Sequence, residues 1–592
     1  MKAAKKAGLV MHNRSRWWWI SVIPVLFVLA ASSAFDQQSS TTARLLQTVG
    51  KGQPPGRYSR EIFTDVTREA GITWKRFNGQ SPDAHLIETK GGGAAFLDFD
   101  RDGLWDILLV NGGETPRGRS PAPVRNALYR NLGNGKFADV AVQAGLDRIS
   151  FYGLGVAVGD FDNDGFPDVL ITGYSGCALF HNNRDGKFTD VTRGAGLEET
   201  GKWSTGAVWF DYDRDGLLDL LICHYAKIPP DKTPHCDFKG TPTYCEPSAY
   251  GDGDRLSLYR NNGDGTFTDV SARSGVDQSI GRGLGVIAVD INDDGWPDLF
   301  IARDGSHNLL LMNQKNGTFR DFAMEAEVAY DPNGVAKAGM GIDAADVNGD
   351  GWPDFVMTAF DAEYHSLFLN RGSFPFADWT VQSGLAHLTV HYVGWGTHFL
   401  DYDNDGIMDL MIVSGHVNKI VEKTRVNVTY KEPPLLLRNN GKGVFEDMQE
   451  SAGPVFHTRY DARGLAVGDY DNDGDTDAIF VCLQDTPVLL RNDAGQDNAW
   501  IGFQLVGTGS NRDAIGSKLT VELGGRKLVR WITGGASIFS SHDNRVIFGL
   551  GGKPGPATLS VKIRWPNGET QTLSGLRPGK YHKILEPARN AG

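Results

Sequence analysis

Seven times this chain repeats one nine-residue pattern, Asp-x-Asp/Asn-x-Asp-Gly-x-x-Asp, starting at Asp98, Asp160, Asp211, Asp290, Asp346, Asp401 and Asp469. Successive starts lie 51 to 79 residues apart, so the array occupies most of the 592 residues. A unit repeated over that length buries its apolar surface against its neighbours. An apolar stretch containing glycine precedes each copy, as at Gly153–Gly159 and Gly283–Val289. A β-type run follows, such as Ile107–Val110 or Ala478–Val481. A third segment reads Leu-Tyr-Arg-Asn at 128–131 and 258–261, and an Asn/Asp-Gly turn then leads to a Phe-x-Asp strand. Four strands per unit, joined by turns, predict an all-β chain built as a seven-bladed β-propeller. Glycine at 74 residues matches the number of tight turns this requires.

The order of parts indicates how the ring closes. Phe-x-Asp segments start at Phe63, Phe137, Phe188, Phe267, Phe319, Phe376 and Phe445. The first precedes every Asp loop, and the last loop has no such strand of its own. The N-terminal strand is therefore expected to complete the final blade, which leaves no open sheet edge. Residues 61–494 are assigned to the propeller and 495–592 to a separate small β-sandwich. In the latter, Leu519–Leu523 and Arg526–Ile532 flank Gly524-Gly525, and Val561–Trp565 and Thr570–Leu573 flank Pro-Asn-Gly.

Carboxylates at loop positions 1, 3, 5 and 9 converge when the chain turns tightly at Gly in position 6, and the position-7 carbonyl adds an oxygen. That is the hard, all-oxygen shell that Ca²⁺ prefers, whereas Mg²⁺ keeps its waters. The expected ligands are Asp98, Asp100, Asp102 and Asp106; Asp160, Asp162, Asp164 and Asp168; and Asp211, Asp213, Asp215 and Asp219. The later loops supply Asp290, Asn292, Asp294 and Asp298; Asp346, Asn348, Asp350 and Asp354; Asp401, Asp403, Asp405 and Asp409; and Asp469, Asp471, Asp473 and Asp477. Up to seven structural Ca²⁺ ions follow. The EF-hand is the nearest alternative, but its Glu at position 12 is Leu109 in the first copy. Asx turns without metal are the other alternative.

These loops also account for the charge. Acids exceed Lys and Arg by 13, and the ligand positions of the loops alone hold 26 carboxylates. The acid excess argues against a nucleic-acid partner, which needs a basic face. The first 34 residues carry five cations, no acid and an apolar run from Trp17 to Ala31, the layout of a secretory signal. Residues 35–60 read as a polar tether. Export places the protein outside the cell, in a periplasm or at a cell surface, and only an uncleaved signal would tie it to a membrane. Cys236 and Cys245, in one Pro/Gly-rich insert, are the candidate disulfide; Cys177, Cys223 and Cys482 lie in apolar strand patterns and read as buried hydrophobes.

The loops and Phe-x-Asp strands together resemble the FG-GAP (VCBS) repeats of extracellular propellers, integrin α-subunits among them. The tail, with Asn511-Arg-Asp-Ala-Ile-Gly-Ser-Lys518, Gly534-Gly-Ala-Ser537, Phe548-Gly-Leu-Gly551 and Arg564-Trp-Pro-Asn-Gly568, resembles the ASPIC/UnbV domain of cartilage-acidic-protein-like proteins. Tyr244-Cys245-Glu-Pro247, Gly415-His416 and Glu432-Pro-Pro-Leu-Leu-Leu-Arg-Asn439 resemble bacterial members. The resemblance implies an extracellular adhesion or binding module for a protein or glycan. The alternative is an enzyme of a biosynthetic or cell-envelope pathway that uses the propeller funnel. No Ser/His/Asp or Cys/His constellation is legible, and His224, His365, His391, His398 and His416 are scattered. Lys90, Lys202, Arg282, Lys337 and Arg463 lie just upstream of Asp loops; if they converge at the channel mouth, they form a basic funnel for an anionic ligand.

Overall fold

The computed structural model describes residues 61–588 except 116, 198 and 228–232, and these belong to one compact unit. The expected signal at 1–34 and tether at 35–60 lie outside the described residues. The seven repeats fold into seven four-stranded antiparallel sheets. The strand before each Asp loop is innermost: Ala94–Leu97, Tyr152–Gly159, Ser204–Phe210, Gly283–Val289, Ile342–Ala345, Gly394–Leu400 and Ala462–Gly468. These define blades 1 to 7. Each innermost strand touches those of the blades on either side, and blade 7 touches blade 1, so the ring is closed. Phe63–Asp65 pairs antiparallel with Val488–Asn492, Phe63 opposite Asn492, and completes blade 7.

Glycines in the apolar runs make this closure sterically feasible. A Cβ on Gly206 would stand 2.2 Å from the Leu284 carbonyl oxygen, and one on Gly341 would stand 2.1 Å from that of Trp395. On Gly464 it would stand 2.2 Å from the Gly92 carbonyl oxygen, at the seam between blades 7 and 1. Neighbouring backbones approach so closely that only a residue without a side chain fits.

A second periodic device joins the blades further out. Asn182, which ends the third strand of blade 2, donates its amide to the Phe99 carbonyl of blade 1 at 2.8 Å. Asn261, Asn313, Asn370, Asn439 and Asn492 each reach back to the preceding blade in the same way, and Asn131 reaches Tyr470 of blade 7. Each buried Asn thereby satisfies a carbonyl that the loop would otherwise leave unpaired.

The C-terminal domain is two sheets. Asn498–Val506 lies between Val546–Gly552, antiparallel, and Tyr581–Leu585, parallel. The second sheet runs in the order Arg526–Trp531, Lys518–Leu523, Leu559–Arg564, Thr570–Leu576. Both expected hairpins form, Leu523 opposite Arg526 and Ile563 opposite Gln571. The inner faces pack Phe503, Phe548, Val521 and Ile563 into one core that continues into Trp209 and Leu218 of blade 3.

Between Trp531 and Val546 the chain leaves this domain and enters the centre of the ring. The Phe539 carbonyl accepts the Val156 N–H of blade 2 at 2.9 Å, and the Ser541 N–H donates to the Ala94 carbonyl of blade 1 at 3.0 Å. Ser537 exchanges two backbone hydrogen bonds with Ile342 of blade 5, and its hydroxyl accepts the Thr397 N–H of blade 6. His542 Nδ1 accepts the Val467 N–H of blade 7. The innermost strands thus pair their exposed edge groups with this plug. Ser537, Ile538 and Phe539 are buried, with Ser537 and Phe539 held at φ near +60°. The plug closes the channel from the Asp-loop side.

Candidate functional site

The backbone follows one course through all seven Asp loops. Gly at position 6 has φ between +85° and +94°, and the residue at position 4 is left-handed as well, from Asn404 at +55° to Gly349 at +78°. Both carboxylate oxygens at position 1 are tied to the turn in blade 2: Asp160 accepts the N–H groups of Asp164 and Gly165. The position-5 carboxylate accepts the N–H two residues on, as Asp164 does from Phe166 at 2.8 Å. The position-9 carboxylate joins the loop to the third strand; Asp168 accepts the N–H of Asn182 at 2.8 Å and that of Phe161 at 3.2 Å.

Positions 1, 3 and 9 meet. Ligand atoms of Asp98, Asp100 and Asp106 lie within 4.8 Å of one another, as do those of Asp160, Asp162 and Asp168, of Asp211, Asp213 and Asp219, and of Asp401, Asp403 and Asp409. Position 5 meets a cation on or just beyond the third strand, and in blade 2 Asp164 also groups with Asp162 and His181, their ligand atoms within 4.8 Å of one another. Arg130 binds Asp100 at 2.6 Å and Asp102 at 3.0 Å, and Arg260 bridges Asp213 and Asp215 likewise. In blade 4, Lys315 meets Asp294 at 3.2 Å.

Packing three carboxylates into buried space holds their protons. Burial pushes Asp106 up to about 8, Asp168 to about 9 and Asp211 to about 7, with neighbouring carboxylates adding to the shift. Asp98 Oδ1, Asp100 Oδ1, Asp213 Oδ1 and Asp409 Oδ2 are buried without any hydrogen-bond donor. Orphaned anionic oxygens gathered at one point fit a hard cation, and these clusters could hold a metal ion.

The C-terminal domain sits over the loops. Arg512 N–H donates to Asn163 Oδ1 at 2.7 Å, Tyr581 donates to Asp469 Oδ2 at 2.7 Å, and Arg564 pairs with Asp290. Lys518 reaches Asp293 at 3.1 Å. Arg564 and Lys518 thus supply positive charge at the blade 4 loop, where Asn292 has replaced an aspartate. Under the same domain, His542 stacks on His398 with ring centres 4.0 Å apart, and His398 Nδ1 lies 3.1 Å from Asp343. Burial drives His398 down to about 3 and Asp343 up to about 7.

Of the five upstream cations, three gather at the opposite mouth of the channel. Lys90 is fully buried, pairs with Asp304 at 3.3 Å and lies over the Tyr225 ring at 4.2 Å. Arg282 donates to the carbonyls of Asp304, Gly251 and Gly305. Arg463 donates to those of Thr89, Ala462 and Gly415 and stacks on Trp395. Lys202 binds Glu199 and Ser257, and Lys337 binds Ser366, each beside its own blade rather than in the mouth. Sequence reasoning missed Asp304, the carboxylate that pairs with Lys90, because no repeat position marks it.

Two inserts wall this mouth. The Cys236–Cys245 disulfide forms and closes one of them, while Cys177, Cys223 and Cys482 are buried free thiols. The other insert runs from His416 to Glu432. Among the described residues, no helix is long and apolar enough to cross a membrane, which says nothing of a β-barrel.

A family model for the FG-GAP-like repeat matches residues 98–171, 160–222, 248–301, 290–357 and 346–412, and one for ASPIC and UnbV matches 507–591. Cartilage acidic protein 1 of Xenopus tropicalis is 24% identical over 534 residues, covering 84% of this chain and 73% of that protein. The Homo sapiens protein of the same name is 25% identical, covering 83% and 71%. Among solved structures, an Agrocybe aegerita lectin that recognises non-reducing terminal N-acetylglucosamine aligns with a TM-score of 0.38 at 17% identity, over 67% of this chain and 86% of that one. The BP39L lectin of Burkholderia pseudomallei aligns with a TM-score of 0.41 at 10% identity, over 69% and 97%. The repeats and the tail domain together make this chain an FG-GAP-repeat protein with a C-terminal ASPIC and UnbV domain.

Proposed function

We propose that this protein is an exported binding module whose propeller is held together by calcium. The carrying observation is the convergence of carboxylates at positions 1, 3 and 9, with buried oxygens that no donor satisfies. Calcium would be held by the aspartates and asparagines of each loop and would supply the positive charge that offsets their mutual repulsion. The N-terminal sequence supports export, and millimolar extracellular calcium suits loops of this type, whose dissociation constants are commonly about 10⁻⁴–10⁻³ M.

One face of the ring is covered by the C-terminal domain. That leaves the opposite face, with its two inserts, to meet an extracellular protein or glycan. The acidic balance argues against nucleic acid, and a membrane enters only through an uncleaved signal. The experiment is a thermal melt of the exported protein with calcium and with excess EDTA, alongside N-terminal sequencing. A large drop in melting temperature on chelation and a new N-terminus near residue 35 are expected. An unchanged melt would remove calcium from the account.

A further inference from the structure

The mouth opposite the Asp loops opens into a cavity of about 460 Å³, within the range of about 300–1,000 Å³ common for small-molecule sites. The inserts and the turn after blade 5's second strand surround it, none of them part of the repeat. Its charged lining is balanced: Lys90, Arg282 and Arg425 stand against Asp304, Glu363 and Glu246. Arg425 is further neutralised by an ion pair with Asp361. The lining itself therefore carries no net charge, unlike the basic funnel expected from Lys90, Lys202, Arg282, Lys337 and Arg463.

What the cavity offers is a set of unused donors and acceptors over apolar walls. Glu363 Oε2 accepts the Ala338 N–H at 2.8 Å, and a carboxylate has about four lone-pair sites, so Glu363 keeps acceptor capacity toward the cavity it lines. Asp304 Oδ2 takes both Lys90 and the Tyr225 hydroxyl, and the carboxylate's remaining lone pairs can accept further donors. An ammonium has three N–H groups and a guanidinium five, so Lys90 and Arg282 keep donors beyond those bonds. Met340, Phe360, Val417 and Ile420 supply the apolar wall. Glu363 is also held in a strained turn: Ala362 and Tyr364 on either side have φ of +66° and +46°. Such outliers persist where surrounding structure imposes them, and they cluster at binding sites.

A hydroxyl group both donates and accepts, and a sugar ring carries several of them around a C–H face. We propose that this cavity binds an uncharged sugar unit, with Glu363 and Asp304 accepting from its hydroxyls, Lys90 and Arg282 donating to them, and Met340 and Phe360 against its C–H face. This rests on the binding-module reading and names its ligand as a neutral glycan.

The test probes an array of neutral and of uronate- or sialate-bearing oligosaccharides with the calcium-loaded exported protein. Calorimetry then compares the best-bound neutral glycan across wild type, Glu363→Gln and Val417→Trp. Glu363→Gln keeps the shape and removes the charged acceptor; Val417→Trp fills the cavity. Binding of a neutral glycan that falls at least tenfold in both variants, with melting temperature unchanged, is expected. Should Val417→Trp misfold, Glu363→Gln decides alone. Binding confined to anionic glycans, or no glycan binding, overturns the proposal. Equal affinity in wild type and Glu363→Gln overturns it too, but leaves the binding module standing with its site elsewhere.

Discussion

At one end of the channel the ring presents the same Asp loop seven times, and the C-terminal domain covers that end and plugs it. At the other end nothing repeats: two inserts, one closed by the Cys236–Cys245 disulfide, surround a cavity whose charges cancel. The periodic end carries buried like charges that destabilise the fold unless a cation offsets them. The aperiodic end pairs its charges internally, as in Lys90 with Asp304. The difference divides the labour: the repeat holds the ring, and the inserts shape the cavity of the proposed binding site.

Calcium removal should separate the ends most strongly. At about 1 mM free calcium and a dissociation constant of about 10⁻⁴ M, each filled loop adds about 1.4 kcal/mol, and seven add about 10 kcal/mol. Differential scanning calorimetry in EDTA should show that loss. The same loops set a pH dependence. Asp106 and Asp211, pushed up to about 8 and about 7 from 3.8, keep protons in the metal-free fold that the unfolded chain has lost. Metal-free stability should therefore fall as pH rises from about 4 toward 8, while the stabilisation by calcium grows across the same window. EDTA melts that are flat from pH 5 to 8 would contradict this.

The plug comes next. Phe539→Ala empties a buried position between blades and should cost about 3–5 kcal/mol even with calcium present. Denaturant titration measures it, and a loss under about 1 kcal/mol would mean that the ring does not depend on the plug. Asn182→Ala orphans the carbonyls of Phe99 and Pro167 and should cost about 1–3 kcal/mol. The smallest change belongs to the aperiodic end. A Phe238→Ser variant should leave global stability within about 0.5 kcal/mol by denaturant titration, since that side chain is exposed on a hairpin outside the ring.

What the sequence disclosed follows the same division. Seven Asp-Gly loops at fixed internal spacing, with a Phe-x-Asp strand out of order at Phe63, specified the four-stranded sheets and the closure that Phe63 and Asn492 make. The Asn ending Leu-Tyr-Arg-Asn was visible as a repeated letter, but its bond to the preceding blade requires the ring to exist first. The plug was illegible because Gly534–Asp543 has neither strand alternation nor helical period; its order comes from innermost strands hundreds of residues away. Lys90, Arg282 and Arg463 do converge, yet Asp304, which pairs with Lys90, and the neighbouring Glu363 sit in blades whose sequences give no sign of meeting. His398 likewise acquired Asp343 and His542 as neighbours only through tertiary contact.

The central claim is that the Asp loops are cation sites that hold the ring. Equilibrium dialysis of the metal-stripped protein against radioactive calcium, with bound ion counted per chain, tests it most directly. Several ions and up to seven are expected per chain, falling by one in Asp168→Asn, which alters a single loop. Less than one ion per chain at millimolar calcium would contradict it.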